Sequence, residues 1–160
     1  MKKVLCIAIA ALFIIGLYCN AMAKEAVDEE NDPAQVTELF YTSMETGDVE
    51  TMLTLLPEAK AEKVSNFLET AKDQDMNKAD NITICCFTTG LVKAGQAKCT
   101  LKDIKTTVIE DTDTSAKVEI TFTADTEIGV QKATEKVDDT VTLIKEGDKW
   151  VIKEIKENIK

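Results

Sequence analysis

The hydrophobic pattern changes character twice along the chain. Val4 to Tyr18 is one unbroken apolar run, Asp32 to about Lys72 repeats at helical spacing, and beyond Asn81 the residues are β-branched or alternate. A helix buries every third or fourth residue and a half-buried strand every second, so the period predicts the element.

Asp32-Pro33-Ala34-Gln35 opens the helical part. Asp32 is suited to cap free amides, Pro33 to the first helical position, and Gln35 to a capping box. Val36, Leu39, Phe40, Ser43 and Met44 then form one stripe for burial. Gly47 is the expected left-handed stop and Asp48 the cap of a short second helix, Val49 to Leu56. Pro57 punctuates, and a third helix is expected from Glu58 to Lys72, with Val64, Phe67, Leu68 and Ala71 on its apolar side.

Past Asn81 the run Ile82 to Thr89 is β-branched and aromatic, which predicts a strand, with Gly90 to Ala97 as a loop. Leu101 to Glu110 alternates, placing Ile104, Thr106 and Val108 on one face. Asp111 to Thr114 reads as a turn. Ser115 to Thr123 alternates cleanly, with Val118, Ile120 and Phe122 facing one way and Glu119, Thr121 and Thr123 the other. A strand from Lys132 to Lys145, a turn at Glu146-Gly147-Asp148 and a strand from Lys149 to Glu157 complete the series. In that last strand, Trp150 and Ile152 share a face. Helices followed by strands imply an α+β domain, with N-terminal helices packed on one face of a curved antiparallel sheet of about 4–6 strands. Residues 32–160 are expected to form it alone.

The first apolar run is not read as part of that fold. Lys2 and Lys3 precede it and Ala21-Met22-Ala23 follows, the layout of a secretory signal peptide over residues 1–23. A membrane span needs about 20 apolar residues, and this run breaks at Cys19-Asn20. Cleavage after Ala23 predicts a periplasmic or secreted protein. Lipidation at Cys19 is the alternative, and bulky Tyr18 argues against it. Residues 24–31, with Asp28, Glu29 and Glu30, read as a flexible acidic leader of solvated charge.

Composition narrows the chemistry. Once Lys2 and Lys3 leave with the signal, 17 lysines face 29 acidic residues, a formal charge of −12. Such a surface is expected to repel nucleic acid and anionic lipid. Histidine and arginine are absent throughout. Triad hydrolases, imidazole-ligated metals and bidentate phosphate clamps are therefore excluded, leaving carboxylate, Tyr and Lys chemistry open. No cofactor, metal site or catalytic residue is assigned.

Three cysteines remain in the mature chain. If Ile82 to Thr89 and Ala97 to Leu101 formed a hairpin, Cys86 and Cys99 would lie opposite each other. A Cys86–Cys99 disulfide is then expected, with three buried thiols as the alternative. No C-x-x-C motif is present to support redox chemistry. Asp111-x-Asp113-x-Ser115 starts like a calcium loop, but Ala116 and Phe122 occupy the positions that need Gly and Glu, so it reads as a polar turn. Asp138-Asp139 reads as solvated charge. Asn81-Ile82-Thr83 fits a glycosylation acceptor only in a host with that machinery. Tyr41 is the only tyrosine of the mature chain, and no carboxylate partner for it emerges from the sequence.

The stretch D-P-A-Q-V-T-E-L-F-Y-T-S-M-E-T-G-D-V-E-T-M-L, Asp32 to Leu53, resembles the opening of nuclear-transport-factor-two-like domains. The stretch V-T-L-I-K-E-G-D-K-W-V-I-K-E-I, Val141 to Ile155, is similar to their last hairpin, and small exported bacterial domains of this fold are the narrower likeness. The middle, Asp73 to Thr100, departs from the pattern and has room for an extra strand or helix. The resemblance implies a cone in which a bent sheet wraps a helix around an apolar pocket. Phe40, Tyr41, Phe67, Phe122 and Trp150 are the candidate pocket-lining residues, with core packing as the plainer alternative. Members include isomerases and dehydratases as well as binding and dimerising domains, so fold does not select function. The expectation is a non-catalytic extracytoplasmic domain that holds a small apolar ligand in the cone or a protein partner on the sheet. A Tyr41-dependent lyase or isomerase and an envelope-associated homodimer are the alternatives, and membrane attachment would require a lipid on Cys19.

Overall fold

The computed structural model describes residues 32–70 and 76–158. The expected signal peptide with Cys19, the leader of residues 24–31 and Ala71 of the third helix lie outside the described residues.

Helix α1 spans Pro33–Thr46. Asp32 accepts from the Ala34 amide at 3.0 Å, and Gly47 ends the helix in the left-handed region. Its buried side carries Val36, Thr37, Phe40, Tyr41 and Ser43, while Leu39, expected inside, is 47 % exposed. Helix α2 spans Val49–Thr54, capped by Asp48, whose carboxylate accepts from the Thr51 amide at 3.1 Å. Helix α3, Glu58–Glu69, buries Val64 and leaves Phe67 and Leu68 half-buried.

The strand expected over Ile82–Thr89 is instead the core of helix α4, Asn81–Lys93, which also takes in the first half of the expected loop. Local chemistry outweighs the β-branched composition here. Asp80 caps the first turn by accepting from the Thr83 amide and hydroxyl, both at 2.9 Å. Thr88 and Thr89 donate back to the Ile84 and Cys85 carbonyls at 3.0 and 2.8 Å. Ile82, Cys86 and Thr89 meanwhile fall on one buried stripe. Propensity is a weak prior beside a cap and a packed face.

Four strands follow: β1 (Ala97–Asp111), β2 (Ser115–Ile128), β3 (Gln131–Glu146) and β4 (Lys149–Glu157). They pair in the order β1-β2-β3-β4, all antiparallel, as one sheet. The first two strands run longer than their alternation predicts. Bulges interrupt β1 between Lys102 and Lys105 and again between Val108 and Glu110, and Asp103 adopts a φ of +56°. Bulges bend a strand and spoil its outer edge for further pairing.

The register sorts the two faces. Val118, Ile120, Phe122, Val141, Leu143 and Ile152 face the helices and are buried, while Lys117 and Glu119 point outward. Helix α1 lies across β1 and β2 and packs on α4. The fold is therefore α+β, with helices on one face of a curved four-stranded sheet. Strand β4 pairs with β3 from Asp139 to Glu146, so the Gln131–Val137 half of β3 has β2 on one side only.

Candidate functional site

A buried phenol and a buried carboxylate meet where α1 crosses β3. Tyr41 on α1 donates its hydroxyl hydrogen to Oδ2 of Asp139 on β3 at 2.7 Å. Both side chains are buried, Tyr41 at 1 % and Asp139 at 8 % exposure. The aromatic surroundings hold the phenol in place: the Phe40 ring stands edge-on at 5.6 Å and the Phe122 ring lies tilted at 5.0 Å.

Asp139 corrects two expectations. It is not solvated charge, and it is the carboxylate partner that Tyr41 lacked in the sequence reading. The signal was present in the alternation of β3. Val137, Asp139, Val141 and Leu143 are spaced by two, so Asp139 shares the inward face while Asp138 takes the outward one.

Burial sets the electrostatics. It pushes the Asp139 carboxyl up to about 6, and repulsion from Glu157, Asp138 and Glu135 adds to the rise against the opposing Tyr41 hydrogen bond. The Tyr41 phenol is raised well above its ordinary value, first by burial and then by the charges of Cys85 and Asp139. At neutral pH the pair is thus a neutral phenol donating to a carboxylate that titrates close by.

The other expected site residues scatter. Phe40 and Phe122 are core, with 0 and 6 % exposure. Phe67 packs at the margin of a smaller cluster around Phe87, Leu91 and Ala97. Only Trp150 reaches a cleft, where Lys145 Nζ stands 5.1 Å from its ring centroid. That cleft is formed by the start of α1 and the β1–β2 and β3–β4 turns, and it carries the carboxylates of Asp32, Asp111, Asp113 and Asp148. The Asp111–Thr114 segment is the polar turn expected, closed by the Thr112 amide donating to the Ser115 carbonyl at 2.8 Å. A second cleft is lined by Lys60, Asp80, Asn81, Ile82, Lys153, Glu154 and Ile155. Tyr41 and Asp139 line neither.

The hairpin on which a Cys86–Cys99 bridge rested does not form. Cys86 lies within α4 and Cys99 on β1, and Cys85, Cys86 and Cys99 are free thiols. Burial raises all three, Cys86 to about 12. Asn81 donates its side-chain amide to the Ile155 carbonyl at 3.2 Å, so the glycosylation-like asparagine ties α4 to β4. Among the described residues, no group of three or more Cys, Asp or Glu side chains is placed to hold a metal ion. No described helix is long and apolar enough to cross a membrane.

Neither a scan against protein-family models nor a search of curated proteins finds a match to this chain.

Proposed function

We propose that this chain is an exported, non-catalytic interaction domain that engages a protein partner on the outer face of its sheet. The observation that carries the reading is the contrast between a filled interior and an uncovered face. Tyr41, Phe40, Met52 and Phe122 pack where an apolar ligand would sit, and the Tyr41–Asp139 pair is buried beside them. The outer face presents Lys98, Thr100, Lys102, Lys105, Thr107 and Glu119, all exposed. A polar, charged surface of this kind favours a reversible contact over an obligate apolar interface. The resemblance to nuclear-transport-factor-two-like domains, some of which associate through the sheet, points the same way.

Native mass spectrometry of the mature protein from its own host tests this, together with Lys105→Glu and Glu119→Lys variants. The expected result is a protein complex, homomeric or heteromeric, that both variants weaken. A small adduct lost on denaturation would instead support a ligand held in the interior.

A second reading, an acid–base isomerase or lyase, is favoured by one observation, the 2.7 Å contact from Tyr41 to Asp139. A phenol donor beside a carboxylate of raised pKa is the pairing such chemistry uses. Its test is α-proton exchange of enolisable ketones in D2O. Exchange abolished by Tyr41→Phe would favour this reading over the first.

A further inference from the structure

The C-terminal end of β4 is tied down beside a buried charge. Asn158 donates its backbone amide to the Asp138 carbonyl at 2.8 Å and its side-chain amide to Asp138 Oδ1 at 2.9 Å. Thr140 donates its hydroxyl hydrogen to Asn158 Oδ1 at 3.0 Å. This knot joins β4 to β3 just where the β3–β4 ladder ends, and the last ladder pair is Asp139 with Glu157. Glu157, the last residue of β4, and the exit of the strand therefore lie beside a buried carboxylate.

Every element around Asp139 can be named. Helix α1 offers the Tyr41 hydroxyl, its sole hydrogen-bond partner among the described residues, and α4 offers the Cys85 thiol. Strand β2 contributes Ile120, its apolar ladder partner. Strand β3 contributes Glu135 and Asp138, and β4 contributes Glu157. These groups are neutral or acidic, and among the described residues no lysine pairs with Asp139. A buried carboxylate in that company is accommodated best when it carries its proton.

We propose that Asp139, Tyr41 and Glu157 form a proton-operated latch, which holds the end of β4 on β3 when Asp139 is neutral and loosens it when Asp139 is anionic. Deprotonation leaves one phenol to satisfy the anion and sets it against Glu157 across the ladder. The Asn158 knot yields first, because it stands at the end of the strand, past the last ladder pair. The sign follows from the raised carboxyl. Stabilisation by the bound proton is full below the unfolded value of about 4 and is lost as pH rises through about 6. Across that window the closed-to-open ratio changes by about 100-fold.

Hydrogen exchange of the Asn158 amide, which donates to the Asp138 carbonyl, reads the latch directly once corrected for the intrinsic pH dependence of exchange. Protection is expected to fall by up to about 100-fold between pH 4 and pH 7.5 in the native chain. Asp139→Asn should hold it constant, and Glu157→Gln should shrink the fall and move its midpoint to lower pH, because Glu157 helps to raise the Asp139 carboxyl. PH-independent protection in the native chain, or an unchanged profile in Asp139→Asn, would overturn the proposal. Should Asp139→Asn fail to fold, the native chain still decides the matter through the NMR carboxyl shift of Asp139. A midpoint near 6 that tracks the amide protection supports the latch, and a midpoint at or below 4 sinks it.

Discussion

Gly47 ends α1 so close to the last turn of α4 that a Cβ there would sit 2.7 Å from the backbone nitrogen of Lys93. Its φ of +71° is also in the left-handed region. The position therefore demands glycine for two separate reasons, conformation and space. Gly47→Ala is expected to cost about 2–4 kcal/mol, from the left-handed backbone and from backbone overlap. Gly47→Asn separates the two, because asparagine tolerates the left-handed region and still collides. Denaturant melts should place Gly47→Asn near the alanine variant. A stability near that of the native chain would show that the close approach is unimportant.

Asp80 is the cap that makes α4 a helix. Asp80→Ala leaves the Thr83 amide without its acceptor and should cost about 1–2 kcal/mol, while Asp80→Asn keeps an acceptor and should cost less. The exposed ion pair with Lys60 adds little of its own. Loss of α4 helicity on circular dichroism in the alanine variant alone would single out the cap.

Acid stability follows from two carboxylates with opposite shifts. Burial raises Asp80, but Lys60 and the two Thr83 donors outweigh it and hold the carboxyl below its ordinary value. Its contribution is present above about pH 4 and disappears as pH falls through the lower folded value. Asp139 behaves in reverse, and lowering the pH from above 6 towards 4 adds stability. Thermal midpoints measured from pH 3 to pH 8 should therefore peak between about 4 and 5. Asp139→Asn is expected to flatten the alkaline side and Asp80→Asn the acid side. A peak at neutral pH in the native chain would contradict the Asp139 assignment, and stability that does not fall below pH 4 would contradict that of Asp80.

The sheet and the first three helices were legible because each announces itself locally. Val118, Ile120 and Phe122 alternate without interruption, and Asp32, Gly47 and Asp48 are end signals of standard chemistry. Helix α4 was not read correctly because ITICCFTT is rich in β-branched residues. The helical signal lies instead in the Asp80 cap and in the Ile82, Cys86, Thr89 spacing, which composition alone passes over. Asp139 was hidden by its neighbour. Two adjacent aspartates look like surface charge, although a strand sends one of them inward. That Tyr41 and Asp139 meet across 98 residues of chain depends on how α1 crosses the sheet, which no local pattern encodes.

Ile120 measures how tightly that crossing is packed. It is fully buried on β2 between Thr106 of β1 and Asp139 of β3. Ile120→Val should cost about 0.5–1.5 kcal/mol and Ile120→Ala about 2–5 kcal/mol, the larger loss including the cavity left behind. Val130, 99 % exposed at the β2–β3 turn, serves as the control. Val130→Ala should stay within about 0.5 kcal/mol of the native chain in the same urea melts.

The thiols test the helical reading of α4 by chemistry alone. Only a thiolate is nucleophilic, and burial lifts Cys85, Cys86 and Cys99 above their ordinary values. With Cys86 at about 12, roughly one in ten thousand of its thiols is ionised at pH 8. Alkylation by iodoacetamide should therefore be slow in the folded protein and reach Cys85, Cys86 and Cys99 once it is denatured. Peptide mass spectrometry counts the additions on these three residues. Three additions without a reductant mean that helix α4 keeps Cys86 away from a bond with Cys99, as the free thiols require. One addition, rising to three only after reduction, would mean that a disulfide forms in this segment. Were it Cys86–Cys99, the hairpin geometry would have to be reconsidered.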